Sequence, residues 1–225
     1  MKTPRTQQQT IFRNIARISQ ALASPQRLKI VSLLTHGPKT VERLAKLQEQ
    51  SVAATSAHLK VLRSAGLVIG TKRGRHLDCE LASDSVESLW LFLRDLGEEL
   101  LPEIRETMNH YFTEPESLAD LNEEQLREKL SSNRIVLFDL RPKDEYARGH
   151  LPGAQHLPFT EIGAERPPLK KNQTALTYCR GPFCLMAVDG TIHLRAMGLP
   201  VKRLRFGVPE WRQKGFDLEV STFNL

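Results

Sequence analysis

The chain has little of what marks a membrane, secreted or disulfide-stapled protein. No run of about 18 apolar residues occurs anywhere in it, so no membrane-spanning helix is expected. The start, Met1-Lys2-Thr3-Pro4-Arg5, has no apolar stretch behind it, so a secretory signal peptide is not expected and the cytoplasm is the expected compartment. Cysteine is scarce: the 3 in the chain are too few for a disulfide framework. In a reducing compartment a cysteine pair is more often catalytic, redox-active or metal-binding than structural. No internal repeat or low-complexity tract is visible.

The 225 residues are 40% apolar, ordinary for packed cores, and their number suggests one or two domains. Charge is unevenly placed. Residues 1–81 hold 14 Lys and Arg against 4 Asp and Glu, a net of +10; residues 82–112 hold 2 against 7, a net of −5; residues 113–225 hold 16 against 15, a net of +1. A basic block confined to one segment points to a polyanion partner for that segment; the alternative is a solvated basic surface.

Periodicity organises the first half. Ile11, Ile15, Ile18 and Leu22 have helical spacing, and so do Leu28, Val31 and Leu34 after Ser24-Pro25. Thr40 starts a third helix with Val41, Leu44 and Leu47 on one face. After Gln48-Glu49-Gln50, Ser51 is the expected N-cap of a fourth helix that runs to about Ala65 and stops at Gly66. Leu67-Val68-Ile69 and Leu77-Asp78-Cys79-Glu80-Leu81 read as strands, with Gly70 to His76 turning between them. From Asp84 to about Tyr111 an apolar stripe runs at helical spacing, and Pro102 kinks or divides that helix. Thr113-Glu114-Pro115-Glu116-Ser117 has linker composition, which places the expected boundary between domains 1–112 and 113–225.

The second half alternates strand and helix. Asn122 and Gln125 form a capping box for a helix to about Leu130. Ile135 to Phe138, Leu176 to Tyr178 and Val201 to Leu204 are apolar strands, and a helix is expected from Pro182 to Met197. This alternation implies a parallel sheet with helices on its faces. The expected fold is therefore a mainly-α winged helix-turn-helix followed by an α/β parallel-sheet domain.

On the fourth helix, inward packing of Thr55, Leu59 and Leu62 leaves Ala53, Ser56, Ala57, Lys60 and Ser64 on the opposite face. Small residues there permit close approach to base edges, Ser56 can hydrogen-bond bases, and Lys60 can contact a phosphate. His58 lies beside the buried edge, as a packing or positioning residue. Lys72, Arg73 and Arg75 around Gly74 suit phosphate or minor-groove contact; the alternative is a charged, solvated hairpin. Ser51, Ser56, Lys60, Ser64, Lys72, Arg73 and Arg75 are the candidate DNA contacts.

Three stretches here resemble the arsenic-repressor (ArsR) family of winged-helix regulators: Ala21 to Ile30, Ser56 to Val68, and Gly74-Arg75-His76. The resemblance covers about residues 10–112. It implies a homodimer on a palindromic double-stranded operator, usually as a repressor, with the first helix and the 84–111 helix at the dimer interface. The chain departs from the metal-sensing members: Val41-Glu42-Arg43-Leu44 contains no thiol, and His110 stands alone on the 84–111 helix. A metal site needs about four ligands, so neither metal nor cofactor is expected. Cys79, on a wing strand, reads as a small core residue.

Far downstream, Tyr178-Cys179-Arg180-Gly181-Pro182-Phe183-Cys184 follows an apolar strand and leads into a helix. A cysteine at such a turn meets backbone amides and the positive end of a helix, a setting that favours thiolate. With Asp139-Leu140-Arg141, Asp144-Glu145-Tyr146, Gly149-His150-Leu151-Pro152-Gly153-Ala154 and Gly207-Val208-Pro209-Glu210-Trp211, this loop resembles the rhodanese domain across nearly all of residues 113–225. The resemblance implies a sulfurtransferase whose loop cysteine cycles between thiolate and persulfide.

In that chemistry Cys179 attacks the outer sulfur of a sulfane-sulfur donor, amides including that of Gly181 stabilise the charge, and a thiol acceptor removes the sulfur. Arg180 attracts an anionic donor and lowers the thiol pKa. Related phosphatases place an arginine six positions after the cysteine; Leu185 stands there, which disfavours phosphoryl chemistry. Pro182 removes one amide donor from the cradle. Cys184 is either a resolving thiol for Cys179 or a small buried residue in the first helical turn. Asp139 and Arg141 read as an ion pair beneath the loop, Trp211 as packing beneath it, and His150 as a structural histidine.

Three functions fit these residues. One is a repressor whose Cys179 persulfide couples sulfur or redox state to DNA binding. Another is a working sulfurtransferase that uses the winged helix for dimerisation or DNA tethering. The third is a repressor with an inert domain that senses an oxidant through a Cys179–Cys184 bridge.

Overall fold

The computed structural model of the chain describes residues 3–112, 119–130, 134–163, 167 and 169–221. The expected linker, Thr113 to Ser117, lies outside them. Packing divides the chain into two compact units, one ending at Leu93 and the other beginning at Arg94.

The first unit runs α1 (Pro4–Leu22), α2 (Pro25–Leu34), β1 (Lys39–Thr40), α3 (Val41–Gln48), α4 (Val52–Ser64), β2 (Val68–Arg73), β3 (His76–Leu81) and the start of α5 (Asp84–Leu100). Local chemistry sets these limits. Thr40 and Ser51 cap α3 and α4, accepting from the amides of Arg43 and Ala54 at 3.2 and 3.1 Å, and thereby satisfy otherwise orphaned donors. Leu34, Leu44, Leu59, Leu62, Val68 and Cys79 close one core among the helices and the hairpin.

The hairpin is longer than the sequence suggests. β2 and β3 pair in antiparallel register from Val68↔Leu81 to Arg73↔His76, which leaves a two-residue turn, Gly74-Arg75, with Gly74 at φ 59. Such tight turns match strand twist when the first position takes positive φ, which glycine allows. Lys72 and Arg73 therefore lie on a strand instead of in the loop. β1, two residues long and not anticipated, pairs with β3 to give the order β1-β3-β2. Leu101 is extended (φ −111, ψ 104) and Pro102 opens α6 (Pro102–Tyr111), because the residue before a proline avoids the helical region. The expected long helix is thus divided.

The second unit contains α7 (Glu123–Leu130), β4 (Ile135–Asp139), α8 (Lys143–Arg148), β5 (Gln155–His156), β6 (Thr174–Tyr178), α9 (Leu185–Ala196), β7 (Val201–Arg203) and α10 (Val208–Gln213). Its four strands are parallel, in the order β5-β4-β6-β7. Asn122 and Gln125 exchange backbone-to-side-chain hydrogen bonds of 2.9 Å each way, the expected capping box. Alternate residues of β4 serve two cores: Leu137 packs with Leu126, Tyr146 and Trp211, whereas Val136 and Phe138 pack with Ala187 and Leu194 of α9. Helices on both faces are what a parallel sheet requires. α9 begins at Leu185, later than the expected Pro182, because Gly181 to Phe183 turn and Cys184 occupies the N-cap position.

The carboxyl ends of β4 and β6 meet in a buried polar network. The Arg141 guanidinium donates to both Asp139 oxygens, at 2.5 to 3.0 Å, and to the Gly149 carbonyl at 2.8 Å. Tyr178 Oη donates to Asp139 Oδ2 at 2.6 Å and accepts from the Leu151 amide at 3.1 Å. Removing one partner of a buried pair strands the other charge, a loss of about 3–5 kcal/mol. Asp139→Ala is therefore expected to lower the urea stability of the second unit by that amount; a loss below about 1 kcal/mol would show the pair to be dispensable.

Candidate functional site

α4 presents the expected face. Thr55, Leu59 and Leu62 are buried, while Ala53, Ser56, Ala57, Lys60 and Ser64 are exposed, and His58 is half-buried. Two of the candidate DNA contacts have local duties. Ser51 uses its hydroxyl oxygen as the α4 cap, and Ser64 Oγ donates to the Val61 carbonyl at 2.8 Å. Ser56 and Lys60 occupy the middle of the exposed face. On the hairpin, Lys72, Arg73 and Arg75 are exposed; Arg73 Nε lies 3.3 Å from Asp78 Oδ2 across the strands, and Arg75 Nε donates to His76 Nε2 at 3.3 Å.

The sulfur-bearing loop is built at the end of β6. Cys179 directly follows Tyr178, so the Asp139–Tyr178 hydrogen bond fixes its root. Its side chain is 1% exposed, in the core that contains Val136, Phe138 and Leu194. Gly181 adopts φ 98, in the left-handed region that favours glycine. Gly207 is required by close approach, since a β-carbon there would lie 2.5 Å from the Cys179 carbonyl oxygen. Cys184, partly exposed, turns back so that its Sγ lies 2.9 Å from Cys179 Sγ, and the two share a hydrogen bond.

Three residues around this loop take roles the sequence did not disclose. Glu145 is buried and accepts from Arg180 Nε and Nη2 at 2.6 to 3.1 Å. Arg180 is thereby a clasp between loop and α8. Glu210 accepts from the Gly207 amide at 2.8 Å and pairs with the Arg94 guanidinium; its Oε1 would stand 3.1 Å from a β-carbon at Gly181. Tyr178 joins the buried network. Their only signal in the sequence is membership of the motif stretches. Asp139 and Arg141 do form the expected ion pair. Trp211 is buried in the core of Tyr178 and Val208, and not in that of Cys179. It is thus on the other side of the sheet, because residue alternation sends Tyr178 and Cys179 to opposite faces. His150 Nδ1 contacts the Tyr146 carbonyl at 3.0 Å, and its ring stacks on Tyr146.

The electrostatics reverse one expectation. Burial away from water pushes the Cys179 thiol well above the ordinary thiol range, and Arg180 offsets this only in part. Cys184 is drawn down to about 6, first by its hydrogen bond with Cys179 and then by the neighbouring backbone at Arg180 and Ala187. Cys184 occupies the α9 N-cap position, and its side chain makes no cap hydrogen bond. In the first unit, Cys79 is fully buried and burial raises its pKa. Among the described residues no group of three or more His, Cys, Asp or Glu stands where it could hold a metal ion, and no helix is long and apolar enough to cross a membrane.

A winged helix-turn-helix in one unit and a parallel sheet ending in a cysteine loop in the other define a two-module protein. The family described as "Bacterial regulatory protein, arsR family" matches residues 24–69, and "Rhodanese-like domain" matches residues 122–214. HTH-type transcriptional regulator Rv0324 of Mycobacterium tuberculosis is 31% identical over 205 residues, covering 91% of this chain and 90% of that protein. The chain belongs to this family, the ArsR-type transcriptional regulators that carry a rhodanese-like domain. Among solved structures, the homodimeric winged helix-turn-helix DNA-binding domain Mb0332 from Mycobacterium bovis is 29% identical, covering 45% of this chain and 92% of that one at a TM-score of 0.42. A rhodanese-related protein from Thermoplasma volcanium is 17% identical, covering 45% and 97%, at a TM-score of 0.39.

Because only thiolate alkylates readily, the rate of iodoacetamide labelling at Cys184 is expected to rise with pH through a midpoint of about 6. In Cys179→Ala that midpoint moves up, since the leading hydrogen bond is gone. Peptide mapping of labelled protein across acidic and neutral pH reads both; an unmoved midpoint would show that the amides alone hold the charge.

Proposed function

We propose that the chain is a DNA-binding repressor that takes up sulfane sulfur as a persulfide in its Cys179–Cys184 loop, and that this changes its affinity for an operator. The observation that carries the DNA half is the outward face of α4, where Ser56, Ala57 and Lys60 are exposed beside a basic hairpin. An exposed face of small and basic residues is what a major-groove helix needs, and the hairpin adds phosphate contacts. Ile11, Phe12 and Ile15 of α1 and Phe92 of α5 are each more than half exposed, which supports a homodimer that covers them and reads a two-fold operator.

The sulfur half rests on the loop between β6 and α9, which brings the Cys179 and Cys184 sulfurs to 2.9 Å at the start of a helix, a setting suited to receive an electrophilic sulfur and stabilise the resulting anion. The same feature favours a second reading, a sulfurtransferase that passes sulfur from a donor such as thiosulfate to a thiol acceptor while the winged helix tethers it to DNA. Regulation requires two states of different operator affinity.

Operator affinity measured by fluorescence anisotropy, before and after a sulfane-sulfur donor, separates the readings when intact mass is followed on the same samples. A changed affinity with sulfur uptake supports the switch. Unchanged affinity with sustained thiosulfate turnover moves the chain to the enzyme reading. On the DNA side, Lys60→Ala is expected to weaken binding uniformly across operator sequences and to lower the salt-dependence slope by about 1. An unaltered slope would remove Lys60 from the phosphate contacts.

A further inference from the structure

We propose that Arg203 is the anion-positioning residue of the sulfur loop, and that its charge makes a small sulfur oxyanion of the thiosulfate class the preferred donor. The inference rests on the sulfur-loading reading above and names the donor class for it.

Placement is the first reason. Arg203 ends β7, and its register partner on β6 is Thr177, two residues before Cys179. Side chains alternate across a strand, so Arg203 shares a face with Val201, which packs in the core of Cys179 with Cys184 at its edge. On that same face Thr177 is hydrogen-bonded to Thr191 of α9 at 2.7 Å. The Arg203 guanidinium donates to the Phe112 carbonyl, and the Phe112 ring meets that of Phe183 in the loop, with centroids 6.4 Å apart.

Charge is the second reason. Arg203 is 3% exposed, and a buried cation is normally matched by an acid. Its neighbours follow that rule: Arg141 is matched by Asp139, Arg180 by Glu145 and Arg205 by Glu98, at 2.5 to 2.6 Å. Arg203 has only neutral partners, the carbonyls of Phe112 and Leu204, and among the described residues no carboxylate pairs with it. Burial lowers its pKa, the nearby Cys184 sulfur raises it, and Arg205 adds repulsion. A guanidinium stays charged at neutral pH even when withdrawn from water. Its field therefore reaches the loop unneutralised and little screened by salt.

The donor class follows from the chemistry. The Cys179 thiolate attacks the sulfane sulfur of thiosulfate; the S–S bond breaks, sulfite leaves with the electron pair, and Cys179 carries the persulfide anion. The charges balance, since a dianion and a thiolate give a dianion and a persulfide anion. Both reactants are anions, so repulsion opposes their encounter. An uncompensated cation beside the loop offsets that repulsion from approach to product.

The test compares the reduced full chain with Arg203→Met, which keeps length and removes charge, and Arg203→Lys, which keeps charge. Circular dichroism checks each fold. Peptide mapping follows alkylation of Cys179 and Cys184 by anionic iodoacetate and by neutral iodoacetamide. Intact mass follows sulfur uptake from thiosulfate and from glutathione persulfide. Arg203→Met is expected to lower both the iodoacetate-to-iodoacetamide rate ratio and the rate of thiosulfate uptake by about tenfold, and Arg203→Lys to restore most of each. A purely structural role would slow the two alkylating agents alike and leave their ratio in place. An unchanged ratio in Arg203→Met, or thiosulfate uptake at the unsubstituted rate, overturns the assignment to Arg203 while the sulfur-loading reading stands. Uptake by the unsubstituted chain from glutathione persulfide and none from thiosulfate overturns the donor class. Absence of uptake from either donor sinks the sulfur-loading reading and this inference with it. Should Arg203→Met lose the native circular dichroism, Arg203→Gln and Arg203→Lys carry the same comparison.

Discussion

The sulfur loop depends on one buried charge pair. Asp139 at the end of β4 and Arg141 two residues on are withdrawn from water, and each is tolerated only because the other is there. Asp139 also receives the Tyr178 hydroxyl from the end of β6, and Arg141 reaches the Gly149 carbonyl. One carboxylate therefore ties together two strand ends and the segment around Leu151. Tyr178 is the residue before Cys179, so the position of the first thiol is set from beneath by groups that take no part in its chemistry.

Above that foundation the loop separates two thiols by environment. Cys179 continues the strand and points into the apolar core above α9's inner face, where a charge is costly. Cys184 stands at the α9 N-cap, where unsatisfied amides welcome one. Two chemically identical side chains, 2.9 Å apart, have thiol pKa values displaced in opposite directions. The difference arises from where the chain turns: Gly181 and Gly207 permit a bend tight enough to bring the helix start back over the strand end.

The winged helix-turn-helix is organised by a different constraint, the need to bury one side of each short helix and no more. α4 buries Thr55, Leu59 and Leu62 and leaves the side bearing Ser56 and Lys60 exposed. Its sequence leaves that side small and polar, and the neighbouring hairpin is basic. A regulator of this family thus holds, in one chain, an exposed helix face beside a basic hairpin and a pair of adjacent thiols.

Much of this was legible in the sequence because it is local. Helical spacing placed α1 to α4, the Asn122–Gln125 pair marked its cap, Pro102 divided the helix, and alternation on α4 identified the outward face. The motif at Cys179 was also legible, since a strand, a short loop and a helix are each short-range features. Tertiary structure alone decided the rest. Pairing with β3 lengthened the wing and drew Arg73 onto a strand, because register depends on a partner strand. The partner of Arg180, Glu145, comes from a distant segment, α8, and the Cys179 carbonyl that requires glycine at position 207 comes from the end of β6. The opposite pKa shifts of the two cysteines come from burial and from their mutual hydrogen bond, which depend on the surrounding fold and not on the order of residues in the loop.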